Sequence, residues 1–228
     1  MKIIGLIGGM SWESTAHYYA ILNRETARRL GGLHSAPVIV HSVDFAPIAE
    51  MQKADEWEKA GSELAGIASS LEAQGCGLVG LATNTMHLCA PQIAAALTVP
   101  FVHIASPTAS ALLADGIDKV GLLGTRFTME RRFYIDELEA RGLEVIVPDV
   151  GITNLNGIIF DELCLGIVRD ESRRIYVEAI ARLRARGAEA VILGCTEIGM
   201  LIDDAVSPLP TYDTTELHAV ALVEAALA

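Results

Sequence analysis

Short apolar runs alternate with longer stretches of helical periodicity along the whole chain. The short runs predict strands at Lys2–Ile7, Pro37–Ser42, Leu78–Leu81, Phe101–Ile104, Lys119–Leu123, Glu144–Val147, Ala190–Leu193 and Thr211–Tyr212. The longer stretches predict helices at Ser14–Arg29, Asp55–Ala73, Met86–Leu97, Met129–Arg141, Arg169–Arg186 and Thr214–Leu227. Strands that alternate with helices in this way indicate an α/β fold with mainly parallel sheets.

The pattern repeats itself once within the chain. Three strings recur in the same order and at nearly constant spacing: Ile4–Gly9 as Val120–Thr125, Leu81–Thr85 as Leu193–Glu197, and Val99–Phe101 as Leu209–Thr211. We interpret the repeat as two similar α/β lobes related by a pseudo-twofold axis. The predicted first lobe comprises residues 1–98 and 210–228, and the second comprises residues 99–209.

The repeated strings end in turns where a ligand is expected to bind. Ligands of open α/β sheets lie beyond the carboxyl ends of the strands. If the two lobes face each other, their strand-end turns converge on one cleft, and Thr83 and Cys195 occupy equivalent positions on its opposite walls. That arrangement suits a reaction that removes a proton from one side of a carbon atom and returns one on the other side.

The same turns are suited to binding carboxylates. Helices begin after them, and helix N-termini present unpaired backbone N–H groups to anions. The expected substrate-binding groups in the turns are the backbone N–H of Met10 and the residues Asn84, Thr85, Thr125, Thr196 and Glu197. The string Gly5–Gly9 lacks the spacing and the lysine of a phosphate-binding loop, so a nucleotide site is not expected.

Composition and charge exclude several classes of function. Hydrophobic residues make up 51% of the chain, enough for a sizeable core, and the net charge of −12 argues against nucleic acid as a partner. No apolar run reaches the roughly 18 residues of a membrane span. The four cysteines form no CxxC pair and fit a cytoplasmic protein, and the histidines form no pattern of metal ligands.

Two residues next to these turns invite chemical hypotheses. Cys195 ends a strand just before an expected helix N-terminus, a position that is expected to lower the thiol pKa from about 8.5. His87 lies one helical turn after Thr83, where it is either a packed or capping histidine or a proton relay.

Several motifs resemble the aspartate/glutamate racemase family over nearly the whole chain. They are GGMSWEST (Gly8–Thr15), HSVDF (His41–Phe45), TNTMH (Thr83–His87), LLGT (Leu122–Thr125), IIFDELCLG (Ile158–Gly166) and GCTEI (Gly194–Ile198). The resemblance implies two α/β domains with the active site between them, a homodimer, and neither pyridoxal phosphate nor a metal cofactor. It also implies that residues at the two repeated positions exchange the Cα proton.

Most relatives carry cysteine at both of those positions, whereas this chain has Thr83 and Cys195 and so is similar to members that prefer L-aspartate or L-glutamate. Where relatives place Arg or Lys near the substrate carboxylates, this chain has Gln52 and Cys164, which the resemblance assigns to substrate binding. The expected function is racemisation of aspartate or glutamate, with Cys195 as the base toward the L-enantiomer. The alternatives are a decarboxylase or isomerase of a small dicarboxylate, and a non-catalytic dicarboxylate binder.

Overall fold

The computed structural model describes residues 1–228. Its strands are β1 (Ile3–Gly8), β2 (Val38–Ser42), β3 (Cys76–Leu81), β4 (Phe101–Val102), β5 (Lys119–Gly124), β6 (Glu144–Ile146), β7 (Ala190–Gly194) and β8 (Thr211–Asp213). Its helices are α1 (Trp12–Leu30), α2 (Phe45–Lys53), α3 (Trp57–Ala73), α4 (Ala90–Ala95), α5 (Ala105–Ala114), α6 (Arg126–Glu130), α7 (Arg132–Glu139), α8 (Ile152–Asp161), α9 (Asp170–Ala185) and α10 (Thr214–Leu227). Short 3-10 helices cover Thr85–Cys89, Leu163–Leu165 and Ile198–Met200.

Each predicted strand is present, but the helices α2, α5 and α8 were not predicted. Proline stands in the first turn of α2 and of α5, and a glycine lies in the middle of α8. A first-turn proline is compatible with a helix, and Asp44 caps α2 by accepting a hydrogen bond from the Ala46 N–H at 3.2 Å. The aspartate cap followed by proline was therefore a usable signal for α2.

The strands form two parallel sheets of four strands each. The strand orders are β2-β1-β3-β4 and β6-β5-β7-β8, so each strand of the first sheet has a counterpart at the same place in the second. The central strands are almost entirely buried, as parallel strands covered on both faces are, whereas the edge strand β2 is more exposed. The prediction of an α/β fold with two similar, parallel-stranded lobes is confirmed.

The chain divides into two compact units. The first unit is Met1–Ile104 together with His218–Ala228, and the second is Ala105–Leu217. Strand β4 pairs with β3, and β8 pairs with β7, so each of these strands continues the sheet that precedes it in the chain. The sequence-based boundaries, at 98/99 and 209/210, lie before these strands.

Each unit has its own apolar core. In the first unit, Ile4 and Leu6 of β1 pack with Tyr18 and Leu22 of α1 and with side chains of α10. In the second unit, the core is built from α8, α9 and β7 and also contains Cys195. None of the helices combines the length and the apolar character that crossing a membrane requires.

An ion-pair network ties α1 to α10 within the first unit. The carboxylate of Glu25 accepts hydrogen bonds from Arg28 at 2.7 Å and from Arg29, and Arg29 also pairs with Glu224 of α10. The hydrogen bond from Arg28, with that from Arg29, lowers the pKa of Glu25 to about 2. A carboxyl pKa lowered by folding stabilises the folded state at pH values above the pKa of the unfolded chain.

We expect Glu25→Gln to lower the free energy of unfolding by about 1 kcal/mol at pH 7, the scale of a surface ion-pair network. The difference in the free energy of unfolding between the variant and the wild type should narrow at low pH. It should decrease as the pH falls from about 4.3, the pKa of glutamate in an unfolded chain, through about 2, the pKa of Glu25 in the folded protein. Urea unfolding across this pH range measures it, with the exposed Glu50 of α2 as the control position for the same substitution. If this difference stayed constant with pH, the lowered pKa of Glu25 would not contribute to the stability of the fold.

Candidate active site

The turn after β1 is held in one shape by glycine and by a threonine side chain. Gly9 has φ +94°, and a Cβ atom there would lie 2.2 Å from the carbonyl oxygen of Val43. The Gly9 N–H donates to Thr15 Oγ1 at 2.8 Å, and the same hydroxyl donates to the Ser11 carbonyl at 2.8 Å. The backbone around Met10 therefore has little freedom to move.

The second turn of the first unit carries Thr83 directly beyond β3. Its backbone N–H donates to the Leu81 carbonyl at 2.9 Å, and its own carbonyl oxygen lies 2.7 Å from His87 Nδ1. The side chains of Asn84 and Thr85 are buried beside it, at the start of the 3-10 helix. Thr83 itself is 7% exposed, so the turn presents this residue at the edge of the buried region.

Gln52, which precedes Asn84 by 32 residues in the sequence, reaches this turn. It is buried near the end of α2, and its Nε2 donates to Met86 Sδ at 3.0 Å. Met86 follows Thr85, so the structure brings Gln52 into contact with the TNTMH motif. The side chain at this position, next to the turn that carries Thr83, is therefore the neutral amide of Gln52.

In the second unit, two glycines let the ends of β5 and β7 approach each other closely. A Cβ atom on Gly124 would lie 2.7 Å from the carbonyl oxygen of Gly194. The next residue along the chain, Thr125, caps α6 by accepting a hydrogen bond from the Thr128 N–H at 3.3 Å. Thr125 is buried at this strand end, as Met10 is at the end of β1.

Cys195 lies at the end of β7 and makes a hydrogen bond to a carboxylate. Its thiol donates to Glu197 Oε2 at 2.9 Å, and the Thr196 hydroxyl donates to the same oxygen at 2.8 Å. Cys195 is 7% exposed and Glu197 is 2% exposed. A thiol and the carboxylate group that accepts its hydrogen bond are therefore in direct contact, and both are largely buried.

The prediction that the thiol pKa of Cys195 is lowered is wrong. Burial raises it well above the usual value, and the negative charge of Glu197 raises it further. The expected helix N-terminus is only the 3-10 helix Ile198–Met200, which is too short to oppose these effects. The thiol of Cys195 is therefore protonated at neutral pH in the resting site.

Two further side chains belong to this cluster. The thiol of Cys164, in the 3-10 helix Leu163–Leu165, has its pKa raised by burial and then by Glu197. Tyr176 of α9, which sequence analysis did not single out, lies in the same core as Cys195 and donates to the Leu155 carbonyl at 3.0 Å. Its pKa is raised by burial and by the nearby thiols and carboxylate. Tyr176 occupies a core-facing position of its helix, where an apolar residue is ordinary, so the sequence did not indicate that it lies near Cys195.

Thr83 and Cys195 hold equivalent positions in their two sheets. In the first sheet Ile7 pairs with Leu81, two residues before Thr83, and in the second Leu123 pairs with Leu193, two residues before Cys195. The register of the strands thus reproduces the internal repeat of the sequence. Each sheet places one potential proton-exchanging side chain at the carboxyl end of its third strand in chain order.

A comparison with known proteins identifies the family of the chain. The profile of the Asp/Glu/hydantoin racemase family matches residues 7–222. The chain belongs to this family. Membership confirms the resemblance drawn from the motifs and the prediction of an enzyme, an isomerase of the racemase type.

Two solved structures and a relative named as an amino-acid racemase support the family assignment. The chain is 47% identical to a proposed Asp/Glu racemase from Yersinia pestis, with 100% of both chains covered and a TM-score of 0.92. It is 35% identical to an aspartate racemase homologue from Pyrococcus horikoshii OT3, again over 100% of both chains, with a TM-score of 0.86. It is also 26% identical to the broad specificity amino-acid racemase RacX of Bacillus subtilis, over 71% of this chain and 70% of RacX.

Proposed function

We propose that this racemase family member interconverts the enantiomers of an acidic amino acid, aspartate or glutamate, without a cofactor. Cys195 exchanges the α-proton on the face of the L-enantiomer, and Thr83 acts on the opposite face, in the cleft that the sequence repeat predicts. The observation that carries the proposal is the equivalent placement of these two residues at the ends of β3 and β7. The family description, Asp/Glu/hydantoin racemase, and the solved aspartate racemase homologue favour the same substrate class.

Glu197 is the proposed acceptor of the thiol proton, a role different from the substrate binding predicted for it. The 2.9 Å hydrogen bond gives the proton a direct path from Cys195 Sγ to Glu197 Oε2. The ammonium group of a bound amino acid favours a thiolate close to it. The thiolate then removes the α-proton and becomes a thiol again, the electron pair delocalises into the substrate carboxylate, and Glu197 releases its proton to solvent.

On the opposite face, Thr83 delivers a proton to the α-carbon. A hydroxyl is far less acidic than a thiol, so Thr83 transfers the proton while it regains one from water or a neighbouring group. The two enantiomers have equal free energy in water, so acceleration in one direction must be matched in the other. A preference for L-substrates then reflects slower proton return on the Thr83 side or saturation by one enantiomer.

The substrate carboxylates are proposed to bind at the turns. The backbone around Met10 leads into helix α1, and an anion at such a helix end gains roughly 0.3–1 kcal/mol. Thr125 is proposed to line the equivalent turn of the second unit. Hydroxyl and amide groups of Asn84, Thr85 and Thr196, together with Gln52 and Cys164, complete the proposed binding set. The homodimer and the cytoplasmic location stay predictions.

The experiment that tests the proposal follows the α-proton by NMR in deuterated water. The wild-type protein, without added pyridoxal phosphate, is incubated with each enantiomer of aspartate and glutamate, and optical rotation is recorded in parallel. Loss of the α-proton signal together with loss of rotation supports racemisation. Release of CO₂ from a substituted malonate without exchange would instead indicate the decarboxylase, and binding without exchange would indicate a dicarboxylate binder.

We expect Thr83→Cys to increase solvent deuterium exchange into the D-enantiomer by about tenfold or more, because a thiol is a much better proton donor and acceptor than a hydroxyl. The side chains are similar in size, so the turn should tolerate the change. Initial exchange rates for D-aspartate and D-glutamate measure the effect. Thr83→Ser, which keeps a hydroxyl, is the matched control, and equal rates for the two variants would contradict the paired arrangement.

A further inference from the structure

The hydrogen bonds of His87 fix the position of its proton. The backbone N–H of Ile104 lies 3.1 Å from Nε2 and can only donate, so Nε2 must be the acceptor. The carbonyl oxygen of Thr83 lies 2.7 Å from Nδ1 and can only accept, so Nδ1 must carry the hydrogen. These two partners together select the neutral imidazole protonated at Nδ1.

The surroundings of His87 favour the same neutral form. The ring is buried, and its centroid lies 4.5 Å from that of His103, 5.6 Å from that of Phe101 and 6.1 Å from that of His218. Burial lowers the pKa of His87 well below its usual range, and the two neighbouring histidines lower it further. A second proton, on Nε2, would also point directly at the Ile104 N–H.

His218 is fixed in a similar way on the other side of this cluster. Its Nε2 lies 2.8 Å from the Val102 carbonyl and must donate to it, which leaves Nδ1 to accept from the Tyr18 hydroxyl at 2.9 Å. Burial lowers the pKa of His218 to about 4. The titratable groups that face His87 are thus His103 and His218, and burial keeps His218 itself neutral.

We propose that His87 is a positioning residue, which in its neutral Nδ1–H form holds the Thr83 carbonyl and so fixes the turn that presents the Thr83 hydroxyl. Of the two roles considered for this histidine, the geometry favours the structural one over the proton relay. A relay must gain and lose a proton, but each ring nitrogen is engaged with a backbone group that allows one protonation state only. The role of Thr83 itself rests on the proposed function.

The direct test is NMR of the protein with ¹⁵N-labelled histidine. We expect the His87 ring to give the pattern of a neutral imidazole with hydrogen on Nδ1, and this pattern should not change between pH 5 and pH 9. Titration of His87 within this range, or hydrogen on Nε2, would overturn the proposal. Because this measurement needs no substrate, its result is independent of whether the chain racemises aspartate or glutamate.

Two variants separate positioning from proton transfer. In His87→Asn the side-chain amide can place a donor where Nδ1 stood, whereas His87→Gln reaches only the position of Nε2. We expect the asparagine variant to exceed the glutamine variant in kcat by about tenfold, with similar KM values, since small displacements of a reacting group are costly.

A proton relay predicts instead that both variants lose kcat equally and lose the same limb of the pH–rate profile. Far-UV circular dichroism and thermal unfolding establish that the variants are folded. If the glutamine variant does not fold, the asparagine variant still decides the matter. A folded asparagine variant whose kcat is reduced by a hundredfold or more would refute the positioning role.

Discussion

Cys195→Ser is expected to reduce solvent deuterium exchange into L-aspartate and L-glutamate by about a thousandfold or more, the scale of a lost acid–base group. Serine is close to cysteine in size and can keep the hydrogen bond to Glu197, so the fold and the proton acceptor remain. Its hydroxyl, however, cannot form a usable anion at neutral pH. Loss of the α-proton signal in deuterated water, followed over time by NMR, measures the rate.

The control for this substitution is Cys76→Ser. Cys76 is also a buried thiol, but it stands at the first residue of β3, at the opposite end of the strand from Thr83. This variant should keep its exchange rate within a few-fold of the wild type. If Cys195→Ser retained exchange to within tenfold, Cys195 would not be the base and the proposed mechanism would fail.

Glu197→Gln is expected to lower kcat by about a hundredfold, because an amide cannot take the proton of the Cys195 thiol. The same substitution removes a negative charge that raises the pKa of that thiol. The thiol should therefore titrate at lower pH than in the wild type, although burial still holds its pKa high. We therefore expect kcat to fall while the thiolate of Cys195 forms more readily. A variant that had merely lost its structure would not show this combination.

The measurements are kcat for L-aspartate or L-glutamate and the pH dependence of Cys195 alkylation by iodoacetamide. Thr196→Val is the matched control, since it removes the other hydrogen bond to Glu197 Oε2 and leaves the carboxylate charge in place. It should reduce kcat much less than Glu197→Gln does, whereas loss of the proposed contact between Thr196 and the substrate should raise KM. A glutamine variant with undiminished kcat would show that Glu197 is not the proton acceptor.

Most of the fold follows from the sequence because its central strands are short and apolar, and three of them, β1, β5 and β7, end at a glycine. The repeat between Leu81–Thr85 and Leu193–Glu197 is reproduced by the strand register, so local patterns were sufficient to identify equivalent positions. Helix α5 was missed because its side chains are small and carry little periodicity.

The site was harder to predict, because its chemistry depends on contacts between side chains. Glu197 is visible two residues after Cys195, but the sequence does not show that its carboxylate turns back toward the thiol and raises the thiol pKa. Nor does it show that Gln52 reaches Met86, which lies 34 residues later. The two interpretations of His87 were separated by a backbone N–H from Ile104, and no residue pattern reveals such a contact.

The first unit is completed by the last part of the chain, and this has a consequence for synthesis on the ribosome. Its core requires Leu222 and Val223 of α10, and the Lys2 N–H donates to the Ala226 carbonyl. The second unit, Ala105–Leu217, is continuous in sequence. The first core therefore cannot be completed before the whole of the second unit has been synthesised, so the N-terminal unit cannot fold ahead of the rest of the chain as N-terminal domains usually do.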